Sequence, residues 1–189
     1  MIDNQNVLEI FKKAGALLEG HFLLTSGLHS GLYWEKFRVL QFPEYTSMLC
    51  SMIVKHYRDE NIQVVAGPTT GGVILAFETA RQMGVRSIFA EKDSGGGRSF
   101  HRGFSMEPGE KVLIVDDIMT TGGSVIEVID AVNKLKGDIR GIGILVDRSD
   151  RKIDLGAPLF SCLRSETQTY KPDQCPLCVQ KIPLVRLGG

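Results

Sequence analysis

The stretch Val112-Leu113-Ile114-Val115-Asp116-Asp117-Ile118-Met119-Thr120-Thr121-Gly122-Gly123-Ser124 decides the fold. After Lys111, residues 112–115 form a short, fully apolar run, the signature of a strand (111–115) inside a parallel sheet with both faces covered. That strand delivers two carboxylates, Asp116 and Asp117, to the sheet edge. The hydroxyl- and glycine-rich turn then opens a helix over 124–135. N–H groups at a helix start are unpaired and carry the positive end of the helix dipole, so they attract phosphate. Gly122 and Gly123 let the backbone come close, and the hydroxyls of Thr120, Thr121 and Ser124 add donors. Adjacent carboxylates repel a phosphate but accept hydrogen bonds from vicinal sugar hydroxyls. One loop thus reads sugar and phosphate together. In the competing reading, Asp117 or Thr121 merely caps the next helix, a task that needs one such residue and not the whole cluster.

Outward from this loop, the pattern is strand, glycine loop, helix, strand. Strands are expected over 62–66, 86–91, 111–115, 141–146 and 158–163, with a helix over 73–83 stopped by Gly84. This is the grammar of an α/β domain with a central, mostly parallel five-stranded sheet flanked by helices. Upstream, Val7, Leu8, Phe11, Ala14, Leu17 and Leu18 follow helical spacing after Asp3, with Gly20 closing the helix. Pro43 opens another helix with a stripe of Tyr45, Met48, Leu49, Met52 and Ile53. The tail from Lys171 reads as irregular surface chain.

A second loop, Gly67-Pro68-Thr69-Thr70-Gly71-Gly72, has the glycine spacing of a Walker loop, but Val73-Ile74 stand where Lys-Ser/Thr would be. Its expected role is a backbone cradle for a second phosphate group, through Thr70 and Gly71, or a plain tight turn.

Lysine plus arginine and aspartate plus glutamate each number 22. A zero net charge gives no electrostatic reason to expect nucleic acid or an anionic membrane. Any anionic substrate is then held by local groups. With 43% hydrophobic and 23% charged residues, the 189-residue chain suits one well-filled core. No apolar run reaches membrane-spanning length, and the N-terminus lacks the pattern of a secretion signal. A cytoplasmic location is expected.

At these motifs the chain resembles the type I phosphoribosyltransferases, and within them the orotate phosphoribosyltransferase family. Val112 to Ser124 matches that class's motif for phosphoribosyl pyrophosphate (PRPP). Residues 20–33 (GHFLLTSGLHSGLY) resemble the family's N-terminal hood, which puts Tyr33 and Trp34 beside the orotate ring. Val146-Asp147-Arg148 resembles the strand end that offers an arginine to the orotate carboxylate, and Thr120 matches a threonine that touches the ring. The resemblance implies one domain: a hood over 20–40 plus the C-terminal tail, a core over 43–165 and a mobile lid over 92–104. It implies Mg²⁺ carried by PRPP with no direct protein ligand, and a homodimer. From the residues alone, Arg148 could equally pair with Asp147, Asp150 or Glu166 at the surface.

The chain departs from the family pattern at Thr25 and Gly71, where other members carry lysines. The lid (residues 91–103, EKDSGGGRSFHRG) is also unusual. Lys92, Arg98 and Arg102 are its candidate catalytic cations, with His101 also basic; the alternative is a solvated hairpin with incidental charge. Such cations would arrive on lid closure and neutralise charge building on departing pyrophosphate. Two other functions compete: a phosphoribosyltransferase for uracil or a purine, and a PRPP-sensing regulator, which would need an added nucleic-acid-binding element.

Four cysteines, at 50, 162, 175 and 178, are too scattered for a disulfide scaffold. Cys175-Pro176-Leu177-Cys178 is half of a zinc knuckle. Its partners would be Cys162 with Cys50 or a histidine, none at ligand spacing, so neither a metal site nor a redox pair is expected. His21, His29 and His56 show no partner in the sequence.

Overall fold

The computed structural model describes residues 4–24, 26–149, 153–165 and 168–187. The expected helix cap Asp3, the lysine-replacing Thr25, and two proposed partners of Arg148 (Asp150 and Glu166) lie outside them. In chain order the elements are α1 (Asn4–Lys13), β1 (Leu17–Leu23), β2 (His29–Trp34), α2 (Lys36–Leu40), α3 (Pro43–His56), β3 (Val64–Pro68), α4 (Gly71–Met83), β4 (Arg86–Lys92) and β5 (Arg98–Phe100). There follow β6 (Lys111–Met119), α5 (Gly123–Lys134), β7 (Asp138–Asp147), β8 (Leu159–Arg164), β9 (Thr169–Tyr170), a 3-10 turn (Pro172–Gln174) and α6 (Pro176–Val179).

The apolar run that opens β6 lies inside the main sheet, whose order is β5-β4-β3-β6-β7-β8. β3, β4, β6, β7 and β8 pair in parallel. Because strand side chains alternate, Leu113 and Val115 enter the layer that holds Leu49, Ile53 and Leu75, from α3 and α4. Val112 and Ile114 enter the opposite layer with Val125, Val128 and Val132 of α5. Both faces are dry, which is why this strand reads as continuous hydrophobicity. All five expected strands are present, and the sheet has a sixth: β5 folds back antiparallel on β4 from within the expected lid.

The first helix is shorter than its spacing suggests. Gly15 takes φ +62°, and Ala16 N–H donates to Phe11 O at 2.8 Å, a left-handed stop after Lys13. Leu17 and Leu18 instead begin β1, opposite Trp34 and Tyr33 of β2. β2 also pairs with β9, completing a separate three-stranded hood sheet.

The tail is also more ordered than its composition suggests. After α6 it returns to the hood, where Val185 N–H donates to His21 O at 2.8 Å and Leu23 N–H donates to Val185 O at 2.9 Å. Cys175 is buried on this path.

Candidate active site

The two carboxylates at the end of β6 are both buried. Asp116 Oδ1 accepts from Asp117 N–H at 2.8 Å. Asp117 Oδ1 accepts from Ile118 N–H at 2.6 Å and from Lys36 Nζ at 3.0 Å. Asp117 Oδ2 has no partner among the described residues. Burial pushes both carboxyls above the usual aspartate range, and the charge of Asp117 pushes Asp116 further. Lys36 acts the other way on both. A buried acceptor left unpaired is costly; this oxygen packs against Gly71, and of the two acids only Asp116 lines a neighbouring cavity.

After the acids, the turn runs through Gly122, at φ +80°, into α5, and no side chain caps this helix. Neither Asp117 nor Thr121 caps it. The first-turn N–H groups therefore have no side-chain cap. They face a cavity of about 260 Å³ lined by Asp116, Lys92 and the run from Ile118 to Val125. The side chain of Met119 is buried in the core, and its carbonyl accepts from Arg148 N–H at 2.8 Å.

A second cavity of about 450 Å³ holds Tyr33, Trp34, Lys36, Thr120, Thr121 and Arg148. It shares Ile118, Thr120 and Thr121 with the first. The residues expected to meet a ring and its carboxylate are thus brought together, next to the turn from Thr120 to Ser124. Trp34 packs edge-on against Phe11 at 5.1 Å between centroids, and its Nε1 has no partner among the described residues. The Oδ1 of Asp147, one alternative partner for Arg148, accepts from Ser149 N–H and Oγ at 2.9 and 2.7 Å.

Thr70 and Gly71 line neither cavity. Gly71 instead lies against Asp117: a Cβ there would overlap the Asp117 carboxylate and meet Leu40 Cδ1 at 3.4 Å. The second loop therefore buttresses the acid pair from behind.

The lid cations are distributed differently from the expectation. Arg98 is only 4% exposed, with Nε donating to Glu127 at 3.0 Å and Nη1 to Thr69 Oγ1 at 3.0 Å and Ala90 O at 3.2 Å. It is a fixed strut between β5, α5 and the loop after β3, not an arm on a moving tip. Arg102 is exposed and forked onto Glu91 at 2.9 and 2.8 Å, and His101 pairs with Asp93 at 2.9 Å. Lys92 lines the first cavity, and among the described residues no carboxylate pairs with it.

A phosphoribosyl transferase domain family model matches residues 43–177. An orotate phosphoribosyltransferase of Desulforamulus reducens is 46% identical over 188 residues, covering 100% of this chain and 98% of that one. The chain belongs to the orotate phosphoribosyltransferase family.

This orotate phosphoribosyltransferase relative shares its fold with solved structures of different base specificity. The orotate phosphoribosyltransferase of Aeropyrum pernix superposes with TM-score 0.72 at 24% identity, over 84% of this chain and 93% of that one. An adenine phosphoribosyltransferase of Rhodothermus marinus gives 0.67 at 21% identity, over 86% and 100%. Fold alone does not choose the base. Lys36, which touches both the acid pair and the second cavity, escapes sequence reading because no motif surrounds it.

Proposed function

We infer that this member of the orotate phosphoribosyltransferase family transfers the 5-phosphoribosyl group of PRPP to orotate, giving orotidine 5'-monophosphate and pyrophosphate. One observation carries the site assignment: a carboxylate- and hydroxyl-lined phosphate cavity opens, through Thr120 and Thr121, into a cavity walled by aromatics and Arg148.

In this reading, the α5 N-terminus and the turn from Thr120 to Ser124 hold the 5-phosphate, while Asp116 and Asp117 accept from the ribose hydroxyls. Arg148 presents a planar fork to the orotate carboxylate, a geometry that suits a bidentate pair. Tyr33 and Trp34 wall the ring. Deprotonated N1 then attacks C1′ from the face opposite pyrophosphate. The N1–C1′ bond forms, the C1′–oxygen bond breaks, and the electron pair leaves with pyrophosphate. Lys92, at the cavity mouth, meets the charge that develops there.

Mg²⁺ is read as arriving with PRPP and neutralising part of the pyrophosphate charge. A homodimer and a cytoplasmic location follow from the family likeness; no described helix is long and apolar enough to cross a membrane.

The test is orotate consumption followed by absorbance, with PRPP and Mg²⁺, against uracil, adenine and hypoxanthine. Turnover of orotate alone supports the reading. Preference for another base with PRPP would keep the phosphoribosyl site and overturn the role of Arg148.

A further inference from the structure

Two histidines of the hood and two cysteines of the tail converge at a place the transfer reaction does not use. His21 lies on β1, His29 on β2, and Cys175 and Cys178 flank the first turn of α6. One ligand atom from each lies within 4.8 Å of all the others. His21 Nε2 is 2.9 Å from His29 Nδ1 and 3.5 and 3.8 Å from the Sγ atoms of Cys175 and Cys178. Cys178 Sγ is 3.4 Å from His29 Nδ1. A tetrahedron with Zn–N near 2.0–2.1 Å and Zn–S near 2.3 Å has N···S edges of about 3.6 Å. The three N···S separations straddle that value.

A second observation fixes the chemistry of one ligand. His21 Nδ1 lies 2.8 Å from Ile182 O. A carbonyl only accepts, so Nδ1 carries a proton, and in the neutral ring this leaves the Nε2 lone pair facing the cluster. Orientation of a ligating imidazole by a backbone carbonyl is the usual outer support of a zinc histidine. His21, His29 and Cys175 are 2, 5 and 1% exposed. Two thiolates would cancel the charge of a divalent cation, so the filled site would be neutral and suited to burial.

We propose that His21, His29, Cys175 and Cys178 form a structural zinc site that clips the C-terminal tail to the hood. Two sulfurs and two imidazoles in tetrahedral reach select zinc over harder cations. Four protein ligands leave no open position, which makes the site structural. Binding displaces the two thiol protons. The sequence distance explains why the half-knuckle looked incomplete: its partners are not Cys50 or Cys162 but histidines some 150 residues upstream in the chain. The clip secures β2, the strand that carries Tyr33 and Trp34 to the second cavity.

The test is elemental analysis of the untagged, full-length protein, produced with zinc in the medium and purified under reducing conditions. About one zinc per chain is expected. A thiol-specific mercurial should release it into a chromophoric chelator, a readout that needs no variant. Co²⁺ exchanged into the site should show thiolate-to-cobalt charge transfer and tetrahedral ligand-field bands, both lost in Cys178→Ser and His29→Gln. Stripping should lower the melting temperature, and zinc should restore it in the wild type only. Three results would each overturn the proposal: metal far below one equivalent that added zinc cannot raise, zinc retained in both variants, or a Cys175–Cys178 disulfide in the reduced preparation.

Discussion

Lys36 Nζ sits 3.0 Å from Asp117 Oδ1, joining α2 to β6 through a carboxylate whose side chain is 3% exposed. The lysine is the wetter partner, at 36%. Lys36→Met should therefore destabilise the ligand-free protein by roughly 1–3 kcal/mol, between exposed and buried pairs. It should also weaken PRPP binding, because Asp117 would hold its proton more tightly. Thermal melts and PRPP titration check this; unchanged affinity would separate Lys36 from the site.

The hairpin cations should divide sharply. Lys92→Ala should lower kcat by about 10²–10³, the usual effect of losing one transition-state donor, with a smaller change in KM. Arg98→Ala should act on stability, costing about 1–3 kcal/mol, because it leaves a buried gap and unpairs Thr69 and Ala90 O, while Glu127, at 35% exposure, can turn to water. Arg102→Ala removes an exposed pair with Glu91 and should change stability little. Steady-state kinetics with denaturant melts on all three variants would sort them, and a kcat loss largest for Arg102 would reverse the assignment.

Arg148→Ala should raise the KM for orotate at least tenfold and leave PRPP binding nearly intact, since Arg148 borders only the second cavity. Product inhibition and PRPP titration distinguish the two. Parallel loss of both substrates would point to a collapse of the strand end.

Gly71→Ala should disable the site through Asp117. The added methyl overlaps the Asp117 carboxylate, so the acid, the lysine holding it, or α4 must move. A drop in PRPP affinity with a preserved circular dichroism spectrum is expected. Wild-type affinity would show that the buttress is soft.

Burial raises the titration range of Asp116 and Asp117. Between the unfolded aspartate value of about 3.9 and the raised one, the folded chain keeps protons that the unfolded chain has released. The folded state binds more protons, so this pair makes ligand-free stability fall as pH rises through that window. Melts across the window should show Asp116→Asn losing that part of the slope. PRPP, which favours the ionised pair, should protect more strongly toward higher pH.

Much of this molecule was legible because its decisive parts are local. Asp116 to Ser124 occupy consecutive positions, and Arg148 follows directly on a hydrophobic strand, so spacing alone brought both to the sheet edge. Arg98 misled because it follows three glycines and looks like part of a flexible tip. Only the pairing of β5 with β4 shows it facing inward. Leu17 and Leu18 continued a helical period that Gly15 interrupts. The Cys–His cluster was hidden for a different reason: its halves lie at opposite ends of the chain, and no local spacing encodes a contact of that span.

That span bears on how the protein is made. The early strands emerge from the ribosome long before residues 175–185 exist, yet His21 and Leu23 bond to backbone from that last stretch. The nascent hood must wait with part of its edge unpaired until those residues are made, exposed to chaperones and to wrong partners. A chain lacking residues 175–185 would leave that edge of the hood, beside Tyr33 and Trp34, without its partner.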